Sequence, residues 1–151
     1  MISSSQYSAT SLNNLAVVYE ALRQYDRAEP LYQRALAVKE AALGPNHPAT
    51  ATALNNLASL YRADGRYAEA EPLLERALPI LEAALGPEHP GTGAVVSNLV
   101  ILHIQLDKAA AARELFTRGW AARIDWLDRS LRWGRESFRR QWIADSQMQF
   151  S

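Results

Sequence analysis

Residues 12–48 and 54–90 are two copies of one pattern, agreeing at 23 of 37 positions when offset by 42. The strings Leu12-Asn13-Asn14-Leu15-Ala16 and Leu54-Asn55-Asn56-Leu57-Ala58 open the copies, and Ala42 to Pro48 and Ala84 to Pro90 close them as ALGPNHP and ALGPEHP. A third copy is eroded: Val96-Ser97-Asn98-Leu99 falls on Leu54 to Leu57, and residues 96–120 match 7 of 25 positions of the second copy. Self-similarity at a fixed period restricts a chain to architectures in which one supersecondary unit is stacked on the next.

Within a unit the apolar spacing is helical. Leu54, Leu57, Ala58 and Tyr61 recur at i, i+3, i+4 and i+7, and after Asp64-Gly65-Arg66 the pattern resumes with Tyr67, Ala70, Leu74, Ala77, Leu78 and Leu81. Each unit therefore reads as helix, tight turn, helix. Gly65 suits a positive-φ residue after the first helix, and Arg23, its counterpart in the first unit, should weaken that turn. Ala28, Ala35, Ala70 and Ala77 sit where two helix axes must approach closely. Pro30 and Pro72 fall near the first turn of the second helix, whereas Pro79 lies inside it and predicts a bend over 75–80. In the closing string, Gly44 and Gly86 can end the second helix in a left-handed conformation. Pro45 and Pro87 stop it, and Pro48 and Pro90 prepare the next helix, so the string reads as the joint between units.

The order Leu54, Asn56, Leu57, Ala58, Tyr61, Gly65, Tyr67, Ala70, Ala77, Leu78 resembles a tetratricopeptide repeat. The 42-residue period and the LNNLA and ALGPxHP strings resemble the kinesin-light-chain type of that repeat, over residues 8–120. The resemblance implies an all-α, right-handed α-α superhelix (solenoid) of three helix-turn-helix units, at about 8–49, 50–91 and 92–120, after a flexible N-terminus at 1–7. The third unit departs from the pattern at His103, Asp107, Ala109 and Gly119 and reads as terminal.

A terminal unit leaves an apolar helix face unless something caps it. Residues 121–151 are assigned to a C-terminal helical cap or a junction to a further domain. The stretch from Trp120 to Trp142 holds all four tryptophans, Trp120, Trp126, Trp133 and Trp142. Ile124, Leu127 and Leu131 give it an apolar face, and Gly134 predicts a break before a second helix over 135–147. One reading is a buried cap; the other is a docking surface for a partner or another domain. Leu127 to Glu136, followed by Arg139-Arg140-Gln141-Trp142, resembles the junction between such repeats and a caspase-like (CHAT) protease domain in bacterial proteins.

Composition narrows the function. Sixteen basic and sixteen acidic side chains give no global charge for nucleic acid or a membrane surface. Cysteine is absent, which removes thiol catalysis and cysteine zinc sites, and no export signal or membrane span is read. His47 and His89 would have to converge within about 4 Å to share a metal. Equivalent atoms of stacked units are instead about 10 Å apart. His103 occupies a consensus tyrosine position and reads as structural, and Gly91-Thr92-Gly93 lacks what a phosphate loop needs. No catalytic, cofactor or metal residues are assigned, and no enzyme activity is expected.

What remains is binding by shape. The resemblance places the first helix of each unit on a concave groove able to hold a peptide. Asn13, Val17 and Glu20, then Asn55, Ser59 and Arg62, then Ser97, Ile101 and Ile104 should point there, with Asn14, Asn56 and Asn98 beside them. Asparagines can hold a peptide main chain or join neighbouring helices, and both readings stand. The expected function is a cytoplasmic, non-enzymatic protein- or peptide-binding scaffold, the interaction or sensor part of a larger bacterial regulator. The alternative is a module that homo-oligomerises through the tryptophan-rich segment or an open repeat end.

Overall fold

The computed structural model describes residues 8–148. They form six helices: α1 (Ala9–Ala21), α2 (Tyr25–Leu43), α3 (Pro48–Ala63), α4 (Tyr67–Leu85), α5 (Pro90–Gln105) and α6 (Ala109–Met148). Expectations for residues 1–7, and for the side chains of Trp126 and Trp142, lie outside the described residues. Each helix packs on its neighbours in sequence, and α3 also touches α5, so the molecule is a stack of helix pairs with no strand among the described residues.

The turn inside each pair is built three times in the same way. Arg66 N–H donates to Tyr61 O at 2.7 Å and Gly65 N–H to Arg62 O at 3.1 Å, a Schellman closure. Gln24 and Arg23 in the first unit, and Lys108 and Asp107 in the third, bond back in the same pattern. The closure needs a positive φ at its central residue, met at 78° by Gly65, 58° by Arg23 and 57° by Asp107. Two of the three units thus hold a side chain where glycine is favoured.

The joints between pairs work differently from the expectation. Gly44 (φ 92°, ψ 164°) and Gly86 (φ 89°, ψ 158°) have positive φ but extended ψ, a conformation open essentially to glycine alone and distinct from the left-handed helical one. Pro48 and Pro90 then open the next helix at its first position. The histidine before each proline is that helix's N-cap: His47 Nδ1 accepts from Ala49 N–H at 3.0 Å, and His89 Nδ1 from Gly91 N–H at 3.0 Å. The ring nitrogen does what an asparagine or serine oxygen usually does there, satisfying a donor the first turn leaves over. In the first joint Thr50 Oγ1 also donates to Gly44 O at 2.8 Å, tying the end of α2 to the start of α3.

The core runs between the pairs. Ala28, Ala35, Ala70 and Ala77 are buried at the close helix approaches, and Leu54, Leu60, Leu74 and Leu102 are enclosed around them. In the third unit Gly119 replaces the alanine; a Cβ there would stand 3.2 Å from Val96 Cγ1, so α5 and α6 approach closely at this point. Pro30 and Pro72 lie one turn further into their helices than expected, and α4 continues unbroken through Pro79 to Leu85.

The C-terminal segment differs most from the sequence reading. Gly134 breaks nothing: α6 runs for 40 residues, from the third unit through Gly134, as one helix instead of two. Asp128 and Arg129 stand where the earlier units have Gly86 and Pro87, so nothing there removes an N–H or demands positive φ. A mid-helix glycine costs only about 1 kcal/mol, too little to end a helix by itself. Phe116, Trp120, Ile124, Leu127, Leu131 and Trp133 stay exposed along it. No described helix is long and apolar enough to cross a membrane.

Candidate functional site

The face made by the first helices carries the side chains singled out in the sequence. Residues at equal repeat positions share a face, so Val17, Ser59 and Ile101 form one row across α1, α3 and α5, and Glu20, Arg62 and Ile104 a second. Val17, Ile101 and Ile104 are exposed and apolar, while Glu20, Ser59 and Arg62 are half-buried. The middle of the face, Ser59 and Arg62, is therefore polar, the α5 side apolar, and the α1 side mixed, with Val17 beside Glu20.

The asparagines beside these rows bond to each other between units. Asn56 Nδ2 donates to Asn13 Oδ1 at 2.8 Å, and Asn98 Nδ2 to Asn55 Oδ1 at 3.0 Å. Both bonds span 43 residues, one more than the period, so the second asparagine of each unit reaches the first asparagine of the unit before it. This explains why the motif is a doublet. Each bond uses one donor and one acceptor, and an amide carries two of each, so these bonds leave part of the ladder's capacity unused. Asn14 is exposed.

A second set of inter-unit contacts escaped the sequence reading. Glu29 receives Arg66 Nη1 at 2.6 Å and Tyr61 Oη at 2.9 Å, and Gln33 Nε2 donates to Tyr61 Oη at 3.2 Å. The hydrogen bond from Arg66 holds the Glu29 carboxyl below the usual carboxylate range, against the opposing effect of burial. Burial pushes the Tyr61 hydroxyl up. One period later Glu71 receives Lys108 Nζ at 2.6 and 2.7 Å and faces His103 Nε2 at 3.2 Å. Outside these nodes a third rung repeats, Arg76 to Glu40 at 2.6 Å and Arg118 to Glu82 at 3.3 Å. The signal for all three was available: an acid followed 36 or 37 residues later by a base, twice over.

The Glu71 node is also the place where a cation site could be sought. Glu71, Glu75 and His103 offer ligand atoms within 4.8 Å of one another, and the His103 Nδ1 is buried with no hydrogen-bond partner. Lys108 already sits on both Glu71 oxygens, so the positive charge that node needs comes from the chain itself. His103 faces a cleft of about 380 Å³ between α4, α5 and α6, whose wall includes Glu75, Glu82, Glu114 and Arg118. His47 and His89 are each engaged at the start of their own next helix.

Comparison with known proteins agrees with this geometry. A profile of the tetratricopeptide repeat matches residues 7–83 and 50–123. No functionally curated protein matches the chain significantly. Among solved structures, BtubC (BKLC) from P. vanneervenii is 27% identical over 78% of this chain and 47% of its own length, with a TM-score of 0.73. Nearly identical tetratricopeptide-like repeats from Podosopora anserina, described as a kinesin light chain, are 28% identical over 78% of this chain and 56% of that one, with a TM-score of 0.66. The chain thus spans about half the length of the structures it matches. The period, the helix pairs, their joints and these likenesses agree: the chain belongs to the tetratricopeptide repeat family, in its kinesin-light-chain-like form.

Proposed function

We propose that the chain is a non-enzymatic scaffold that holds an extended or helical segment of another protein against the face formed by α1, α3 and α5. The observation that carries this reading is the pairing of the asparagine doublets. Asn13 with Asn56 and Asn55 with Asn98 lock the first helices in register, which pre-orders the rows of Val17, Ser59 and Ile101 and of Glu20, Arg62 and Ile104 beside them. Asn14, Asn56 and Asn98 keep donors and acceptors for a bound main chain, Arg62 supplies a cation at the centre, and Ile101 and Ile104 offer an apolar seat at one side. The ligand is then a peptide with an acidic or polar centre and an apolar flank. The site uses no cofactor, metal, nucleic acid or membrane. The chain's place is proposed to be cytoplasmic, as the interaction or sensor part of a larger bacterial regulator.

The test is a peptide selected by display on the purified chain, with its affinity measured by fluorescence anisotropy. Ile101→Glu and Val17→Glu, both at exposed positions, are expected to weaken it by about tenfold or more each, the loss of roughly one anchoring contact. Unchanged affinity in both variants, with helical content intact, would sink the groove reading.

A further inference from the structure

The two ends of the stack each leave uncovered what the interior covers. At the head, Leu15 and Val18 of α1 are 45% and 53% exposed, while their counterparts Leu57 and Leu60 are 4% and 1%, and Leu99 and Leu102 4% and 0%. At the tail, Phe116 and Trp120 of α6 are 57% and 55% exposed, while their counterparts Leu74 and Leu78 are 1% and 5%. Among the described residues no second helix packs on the outer side of α1 and no first helix on the outer side of α6. Each is what the other supplies.

We propose that a second copy of this chain covers these faces, head to tail: α1 of one copy seats in the groove between α5 and α6 of another, in the register that α5 takes on α3 and α4. That groove is open, lined by Gly93, Val96, Phe116, Gly119 and Trp120. The helix that follows it in sequence does not fill it. Where Gly86-Pro87 turns the chain back after α4, α6 runs on to Met148, 28 residues past Trp120, and carries the chain about 42 Å away.

The polar rungs continue across such a junction. The asparagine ladder advances 43 residues per step, which places Asn14 of one copy opposite Ser97 of the other. Asn14 has the donor, and Ser97 Oγ, which itself donates to Gly93 O at 2.9 Å, keeps lone pairs to accept it. The acid node inverts its polarity. In the interior a glutamate, Glu29 or Glu71, is met by Tyr61 and Arg66 or by His103 and Lys108. At the junction the central position holds Arg113, and the residues that would meet it are Tyr19 and Gln24, both able to accept. A basic residue retained at 24 would have faced Arg113 with like charge. Gln24 Oε1 is enclosed by its own chain, so the part of Gln24 at the junction is to set no like charge against Arg113. The outer rung is the exception: Ile124 stands where Glu40 and Glu82 stand in the other units and would face Arg34, so no ion pair forms there.

A head-to-tail contact does not close on itself, so it gives a series of lengths in place of a single dimer, and it extends the α1, α3, α5 face from copy to copy. The experiment is sedimentation velocity of the full chain over a wide concentration range, with two single variants at exposed positions. The 16.8 kDa chain is expected to grow continuously in average mass with concentration. Leu15→Glu, which spoils the head, and Trp120→Glu, which spoils the tail, are each expected to stay monomeric alone. Mixed, they are expected to form a one-to-one dimer and nothing longer, because each retains the end the other has lost. Gln24→Arg should raise the concentration needed for assembly by about tenfold through like charge, and adding Arg113→Glu should reverse it. A wild type monomeric at every concentration overturns the proposal. So does a discrete dimer abolished by Trp120→Glu but untouched by Leu15→Glu, which would mean tail-to-tail pairing.

Discussion

The first two units and the third share one period but end in opposite ways. In the first two, a glycine at positive φ and a following proline stop the second helix, and a histidine-capped helix starts on the other side. In the third, Asp128 and Arg129 occupy the stop, and the helix continues for another 20 residues. The lesson is that the joint is a local device independent of the packing above it. The pairing of α5 with α6 survives in a unit that matches the repeat at few positions, because Leu99, Leu102, Ala112 and Leu115 keep its buried face.

Several substitutions break or sharpen that contrast. The largest effect belongs to burial: Leu60→Ala, inside the stack, should cost about 3 kcal/mol in urea unfolding, against less than about 0.5 kcal/mol for the equivalent Val18→Ala at the open head in a monomeric sample. A comparable loss at both positions would mean the head is covered in the isolated chain. Next is a pair of identical changes with opposite signs. Gly86→Ala forces an alanine to a φ of 89° and meets the Glu88 carboxylate at 3.2 Å, for an expected loss of about 2 kcal/mol. Gly134→Ala, mid-helix with open space around the added methyl, should stabilise α6 by up to about 1 kcal/mol, read as a gain in helical signal on heating.

A smaller effect concerns acid. The Glu29 carboxyl is depressed in the folded chain by Arg66, so its contribution is full above the ordinary glutamate range and lost as pH falls through the lower folded value. Acid unfolding of Glu29→Gln should therefore lack part of the wild-type stability loss below about pH 4.5, and identical acid profiles would remove the node from the account. The smallest is Arg23→Gly, which relieves a side chain at φ 58° and should add about 0.5 kcal/mol after the extra freedom of glycine in the unfolded chain is offset.

Much of this was legible in the sequence, for a physical reason: the repeat shows the same helical pattern twice, so accidents cancel. The turns at Arg23 and Gly65, the close alanines and the position of the joints follow from it. The expected break at Gly134 is absent because glycine ends a helix only with a backbone the continuing helix cannot share, as at Gly86-Pro87. Spacing alone removes His47 and His89 as shared metal ligands but does not show their role, an imidazole Nδ1 that caps the N–H two residues on. The asparagine doublet could be placed but not paired, since its 43-residue step appears only when helices are stacked.

The central claim is that the α1, α3, α5 face is where a partner binds. Amide exchange of the chain, with and without a display-selected peptide at saturating concentration, tests it most directly. The account expects slowed exchange along α1, α3 and α5 around Val17, Ser59 and Ile101, with α2 and α4 unchanged. Protection confined to α6, or to the outer surfaces of α2 and α4, would contradict it.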